Sequence, residues 1–214
     1  MEGLFGLTEE ANSRGYIYCY PDGLATFTGV RYWNATDACC CQGFPFTSCE
    51  DDVGYLTNLI AVLQNTYSID PQRIHLIGHS NGGFMSFRMA YEHSDSVAAI
   101  ASLAGANHLE EREAPPNPVH VLQIHGTNDE TIGYQGGDIM NNRYPGALNS
   151  VRRWADYNGC RGTVTDIGSL DLVSNIGGAE TTRLAITQEC DVEGETELWS
   201  IAGGNHGPNF NGNF

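Results

Sequence analysis

"RIHLIGHSNGGFM", residues 73–85, decides the fold. Its first half gathers Ile74, Leu76 and Ile77 into a short apolar run of strand length, ended by Gly78. Its second half opens on small residues and continues with Phe84, Met85, Phe87 and Met89 on the sides of a helix. A strand that stops at Gly78 and a helix that starts at Asn81 leave Ser80 on the turn between them. Gly78, His79, Ser80, Asn81 and Gly82 form G-x-S-x-G, in which glycines make room for a strained turn that lifts the serine oxygen above the sheet. In a chain with 26 glycines the pattern alone means little. The strand before it and the helix after it give it weight.

Working outward, strand and helix signals alternate, the mark of a mostly parallel sheet with helices on its faces. "YIYCY" (16–20) is predicted as a buried strand, stopped by Pro21, Asp22 and Gly23. Residues 24–49 form a long irregular stretch with Trp33 and four cysteines. Ser48 and Asp51 then resemble a capping box, and Val53, Leu56, Leu59, Ile60 and Leu63 recur at helical spacing before Asp70 and Pro71. "VAAIASLAGA" (97–106) and "VHVLQIHG" (119–126) are further buried strands. A helix from about Pro145 presents Leu148, Val151 and Trp154 on one face and ends at Asn158 and Gly159. Residues 162–189 are expected to be a small polar hairpin, and "TELWSIAGGNH" (196–206) a last strand entering a glycine-rich loop.

The 214 residues make one domain the expectation, spanning 1–214. A net charge of −16, with ten arginines and no lysine, argues against nucleic acid as a partner. No apolar run approaches the roughly 18 residues that span a bilayer, so no membrane partner is expected. The opening "MEGLFGLTEE" lacks the basic flank and apolar core of a secretory leader. Seven cysteines, at 19, 39, 40, 41, 49, 160 and 190, favour disulfides over a metal site, since none pairs with histidine at zinc-ligand spacing. The number is odd, and Cys19 within its apolar run is expected to be a buried small hydrophobe.

A serine hydroxyl needs a base to take its proton and an acid to orient that base. In a sheet with this elbow the acid and then the histidine follow at the carboxyl ends of later strands. Asp129 in "IHGTNDE" is the expected acid, with Glu130 as the fallback. His206 in "AGGNHGPN" is the only histidine after His125 and the expected base. His125 is expected to shape the acid's loop, and His79 to pack beside the nucleophile or touch the substrate's edge. The Asn81 N–H is the expected oxyanion donor. Trp33, with Tyr32, Phe44 and Phe46, and Tyr134 after the acid are candidates for the substrate wall.

The joint spacing of "YPDG…RYWNATDACC…DDVGYL…YSIDPQRIHLIGHSNGGFMSFRMA…ASLAGA…VLQIHGTNDETIGYQGG…SVRRWADYNGC" resembles the esterase family of polyhydroxybutyrate depolymerases and related feruloyl esterases, across nearly the whole chain. The resemblance implies a secreted α/β-hydrolase with a triad of Ser80, Asp129 and His206 and no cofactor or metal. It implies an acyl-serine intermediate, carboxylic ester substrates and a disulfide between Cys160 and Cys190. Its substrates divide into short-chain hydroxyalkanoate polyesters and feruloyl or acetyl esters of plant polysaccharide.

One departure stands out. The resemblance places the second oxyanion donor in a loop upstream of "TEEANSRGYIYCYPDG", and that loop, the first strands and the final helix are expected to be missing from these 214 residues. The usual strand order would put a missing strand between "YIYCY" and "IHLIGH". Three readings stay open: a shortened piece of an ordinary esterase, a minimal enzyme whose two strands pair directly or whose sheet a homodimer completes, or a non-catalytic binding or assembly subunit.

Overall fold

The computed structural model describes residues 2–40, 48–186, 189–190 and 194–211. Two short helices, α1 (Glu2–Phe5) and α2 (Leu7–Arg14), precede a two-residue pairing of β1 (Leu24–Ala25) with β2 (Arg31–Tyr32). Then follow α3 (Asp52–Thr66), β3 (His75–His79), α4 (Asn81–Glu92), β4 (Ala99–Leu103), β5 (His120–Gly126), β6 (Gly136–Ile139), β7 (Asn142–Pro145), α5 (Ala147–Tyr157), β8 (Thr165–Leu170), β9 (Thr181–Ile186) and β10 (Thr196–Ile201). The six-stranded sheet runs β3-β4-β5-β10-β9-β8. Its first four strands are parallel, and β9 and β8 are added antiparallel at the far edge. The mostly parallel α/β sheet expected from the sequence is present.

Alternation along the strands assigns the two faces. Ile100 on β4 and Val121 on β5 pack with Phe87, Ala90 and Trp154 under α4 and α5. Leu103, Ile124 and Ile201 point the other way, against Leu172, Val173 and the α1 residues Leu4 and Phe5. Phe84, Phe87 and Met89 are fully buried, each contributing about 2–3 kcal/mol of burial. On α5, Val151 and Trp154 face inward as their spacing predicts, and the Trp154 indole N–H donates to the Val119 carbonyl at 3.0 Å.

Several expectations need correction. Residues 16–20 are not a strand: no described strand lies beside them, and a strand without a neighbour has no ladder to join. Tyr16, Ile17 and Tyr20 are exposed, and Cys19 is an exposed free thiol instead of a buried hydrophobe. This segment does not pair with β3; among the described residues β3 pairs only with β4. The cap of α3 is Asp51, whose carboxylate accepts from the Gly54 N–H at 2.9 Å, while the Ser48 hydroxyl lies 3.4 Å from the Tyr32 hydroxyl instead of at the helix start. The 162–189 hairpin is no separate excursion, since β9 pairs with β10 and extends the main sheet. The β6–β7 hairpin is an element beyond those expected; its turn places Met140 and Asn141 at positive φ, for which Asn141 is the sequence signal. Cys160 is bonded to Cys190, as the family resemblance implies, and Cys39 to Cys40. Cys41, Phe44 and Phe46 lie outside the described residues.

Candidate active site

The elbow is built by glycines in specific places. Ser80 adopts φ 54°, ψ −120°, a strained backbone for a residue with a side chain, held by its N–H donating to the Leu103 carbonyl at 2.8 Å. A Cβ on Gly78 would lie 2.0 Å from the Gly82 carbonyl oxygen, so only glycine lets the turn close so tightly. A Cβ on Gly82 meets nothing within 4 Å, so the second glycine of the motif is not required for space. Gly83 instead matters: its missing Cβ would sit 3.1 Å from Gly105 Cα, where α4 crosses the chain leaving β4. The Gly83 and Phe84 amides return to the Ser80 carbonyl, and the Asn81 N–H belongs to the first turn of α4, where amides lack helical partners.

Asp129 follows β5 and its side chain is entirely enclosed. One oxygen accepts from the Thr131 and Ile132 N–H groups at 2.9 and 2.8 Å. The other accepts from His206 Nδ1 at 2.8 Å. Burial alone would raise this carboxyl's pKa, but the hydrogen bonds from His125, His206 and the two amides outweigh it and hold Asp129 well below the usual carboxylate range. It is ionised across the working pH range. With Nδ1–H donated to Asp129, the tautomer of the neutral His206 ring has its lone pair on Nε2.

A column of buried polar residues on β5 supports Asp129. Gln123 Nε2 donates to the Gly105 carbonyl at 2.9 Å and to His125 Nδ1 at 3.1 Å. His125 must then carry its proton on Nε2, which donates to the Ile132 carbonyl at 2.8 Å and lies 3.3 Å from Asp129. Gln123 and His125 thus shape the acid's loop. Gln123 was not singled out by sequence, although a glutamine within the apolar run "VHVLQIHG" is the signal that could have found it.

Loop stitching brings His206 and Asp129 together. The Thr127 N–H donates to the Ile201 carbonyl and the Asn128 N–H to the Gly204 carbonyl, both at 2.9 Å, while the Gly203 N–H donates to Thr127 Oγ1 at 2.8 Å. Gly126 lies beneath, where a Cβ would be 2.2 Å from the Gly204 oxygen. The His206 ring stands 4.7 Å from the His79 ring, next to Ser80 in the chain. His79 Nε2–H donates to the His206 carbonyl at 2.7 Å. Burial keeps His79 below the ordinary imidazole value, so it is a neutral prop for the His206 backbone.

The remaining predicted residues have clear places. Both backbone groups of Trp33 are bonded to the Asn81 side chain, which puts the Trp33 segment over the elbow. Tyr134 is edge-on to His125, 5.7 Å between ring centres, and packs toward α5. Glu130 is exposed and stays outside the Asp129–His206 pair. No group of metal-ligating side chains occurs among the described residues.

Parallel strands that carry a serine elbow after β3, a carboxylate after β5 and a histidine after β10 define the α/β-hydrolase class. The sequence profile described as Phospholipase/Carboxylesterase matches residues 47–160, just over half of the chain, and the chain belongs to that family. It is 31% identical over 157 residues to feruloyl esterase B of Piromyces equi, covering 69% of this chain and 28% of that protein. It is 28% identical over 206 residues to feruloyl esterase D of Neurospora crassa, covering 95% and 58%. A bifunctional acetylxylan esterase/xylanase of Neocallimastix patriciarum is 30% identical over 125 residues, covering 58% and 16%. The chain therefore spans well under two thirds of these relatives' lengths. Among solved structures, an acetyl xylan esterase from Aspergillus awamori superposes with TM-score 0.50 at 11% identity, covering 72% of this chain and 62% of that one, a likeness of fold.

Proposed function

We propose that this chain is a secreted serine carboxylesterase acting on feruloyl or acetyl esters of plant polysaccharide, without cofactor or metal. The observation that carries the reading is the ionised, enclosed Asp129 bonded to His206 Nδ1, with His206 against His79 beside the strained Ser80. In this mechanism Ser80 Oγ attacks the ester carbonyl carbon while its proton passes to His206 Nε2. Asp129 stabilises the resulting imidazolium. The tetrahedral intermediate collapses, the C–O bond to the alcohol breaks, and the alcohol leaves with the proton from Nε2. Water then repeats the sequence on the acyl-serine, releasing the acid and restoring Ser80. The Asn81 N–H at the start of α4 donates to the developing oxyanion, a contact of the kind whose loss costs about 10²–10³ in rate. The names of the relatives support the substrate class, and the disulfides support an oxidising, extracellular setting.

The test compares the purified chain with its Ser80→Ala variant on p-nitrophenyl acetate, methyl ferulate and a hydroxybutyrate oligomer. The expected result is turnover of the first two that Ser80→Ala abolishes, with the oligomer a poor substrate. Equal rates from both proteins would overturn the serine mechanism. Preferential cleavage of the oligomer would overturn the substrate class in favour of a polyester.

A further inference from the structure

The residue after the proposed nucleophile has a second task that its backbone does not reveal. Asn81 Oδ1 accepts from the Trp33 N–H at 2.6 Å, and its Nδ2 donates to the Trp33 carbonyl at 2.9 Å. One carboxamide thus satisfies both backbone groups of a residue 48 positions away, as a neighbouring strand would. Seven residues on, two turns along the same face of α4, Arg88 Nη1 donates to the Asn34 carbonyl at 2.7 Å and the Ala35 carbonyl at 3.2 Å. From α3, the buried Asp52 carboxylate accepts the Asn34 N–H at 2.6 Å. Residues 33–35 belong to no strand or helix, yet side chains of two helices meet their backbone groups in turn. The ring of the residue so fixed is half-buried and stacks on the exposed Tyr55, 6.2 Å between centres and 22° between planes.

We infer that the Asn81 side chain, seconded by Arg88, is a positioning group that holds the Trp33–Tyr55 pair as a rigid wall adjoining the nucleophile turn, so that the wall selects esters with a bulky planar group. This rests on the reading of Ser80 as the nucleophile. The expense of the arrangement argues for a use. A surface loop normally satisfies its backbone with water, whereas here a polar side chain of the elbow itself holds both backbone groups of Trp33, its Nδ2 also reaching the Cys39 and Cys40 sulfurs at 3.3 and 3.2 Å. Rigidly held aromatic surface binds planar groups without an ordering cost at each encounter.

Two readouts test the inference. The first needs no catalysis: acrylamide quenching of the Trp33 fluorescence, taken as the difference between each protein and its Trp33→Phe counterpart. Asn81→Ala and, separately, Arg88→Met should raise the Trp33 quenching constant about twofold, in proteins whose circular dichroism is native. The second is selectivity. The ratio of kcat/KM for methyl ferulate to that for p-nitrophenyl acetate should fall about tenfold in Asn81→Ala, through KM, as expected for two lost hydrogen bonds. Trp33→Ala should produce the same fall, and the double variant no further one. Unchanged quenching in both variants, or equal losses on both esters through kcat with an additive double variant, would overturn the clamp. Failure of the serine reading is separate: it shows as a Ser80→Ala variant of undiminished rate, with the quenching result unaffected.

Discussion

Gly126 lies at the end of β5, directly under the loop that carries His206, and the Gly126→Ala variant tests whether that stacking sets the geometry of the base. The added Cβ would lie 2.2 Å from the Gly204 oxygen and 2.4 Å from its carbonyl carbon, whereas ordinary contact begins at 3.4 Å. Both obstructing atoms are backbone, so the loop from Gly203 to His206 must lift by about 1 Å, and misplacement on that scale costs on the order of a hundredfold in rate. The lift would also strain the 2.9 Å bond from the Asn128 N–H to Gly204 and the 2.8 Å bond from His206 to Asp129. The assay is kcat on p-nitrophenyl acetate, with near-UV circular dichroism and a urea melt on the same samples. Gly207→Ala is the control, since a Cβ there meets nothing within 4 Å, and it should keep both rate and midpoint. A folded Gly126→Ala protein with the parental kcat would refute the argument that this close approach places the base.

The two motif glycines should part company: Gly78→Ala, whose Cβ would meet the Gly82 oxygen at 2.0 Å, should fail to fold or lose several kcal/mol, while Gly82→Ala should fold and gain up to about 1 kcal/mol in a denaturant melt. Asp129→Asn should keep the fold and lower kcat by about 10⁴, because the amide can no longer fix the Nδ1–H tautomer of His206; steady-state kinetics at neutral pH checks this. His108 is buried, and that burial, with Arg112 nearby, pushes it from 6.5 down to about 4. Because its folded pKa is depressed, the unfolded chain takes up the proton first as pH falls from 6.5 to 4, and stability drops by about 3 kcal/mol over that window. Urea melts from pH 7 to 4 should show this loss, and His108→Leu should flatten it.

The parallel half of the sheet was legible because its signals are local. "RIHLIGH", "VAAIASLAGA" and "VHVLQIHG" are buried runs of strand length, and the helix between the first two carries its own periodicity. The Ser80 turn and the meeting of Asp129 with His206 could be read because a glycine-bounded serine and two polar residues just beyond strand ends survive as local patterns. What failed depends on partners far away in the chain. "YIYCY" has the composition of a strand, but composition cannot supply the neighbour that a strand requires, and the segment is exposed coil. Ser48 looked like a cap because its competing partner, the Tyr32 hydroxyl, lies 16 residues away. The Asn81 clamp was invisible for the same reason. An asparagine after a glycine-bounded serine carries no mark of the tryptophan whose backbone it bonds.

The central claim is that Ser80 is activated by His206 and Asp129, and covalent labelling tests it most directly. The folded chain, its His206→Ala variant and its Ser80→Ala variant would each be incubated with a fluorophosphonate, then weighed intact and mapped by peptide mass spectrometry. The account predicts one adduct per chain, on Ser80, slowed by orders of magnitude in His206→Ala and absent in Ser80→Ala. An unlabelled folded protein, or an adduct on any other residue, would contradict it.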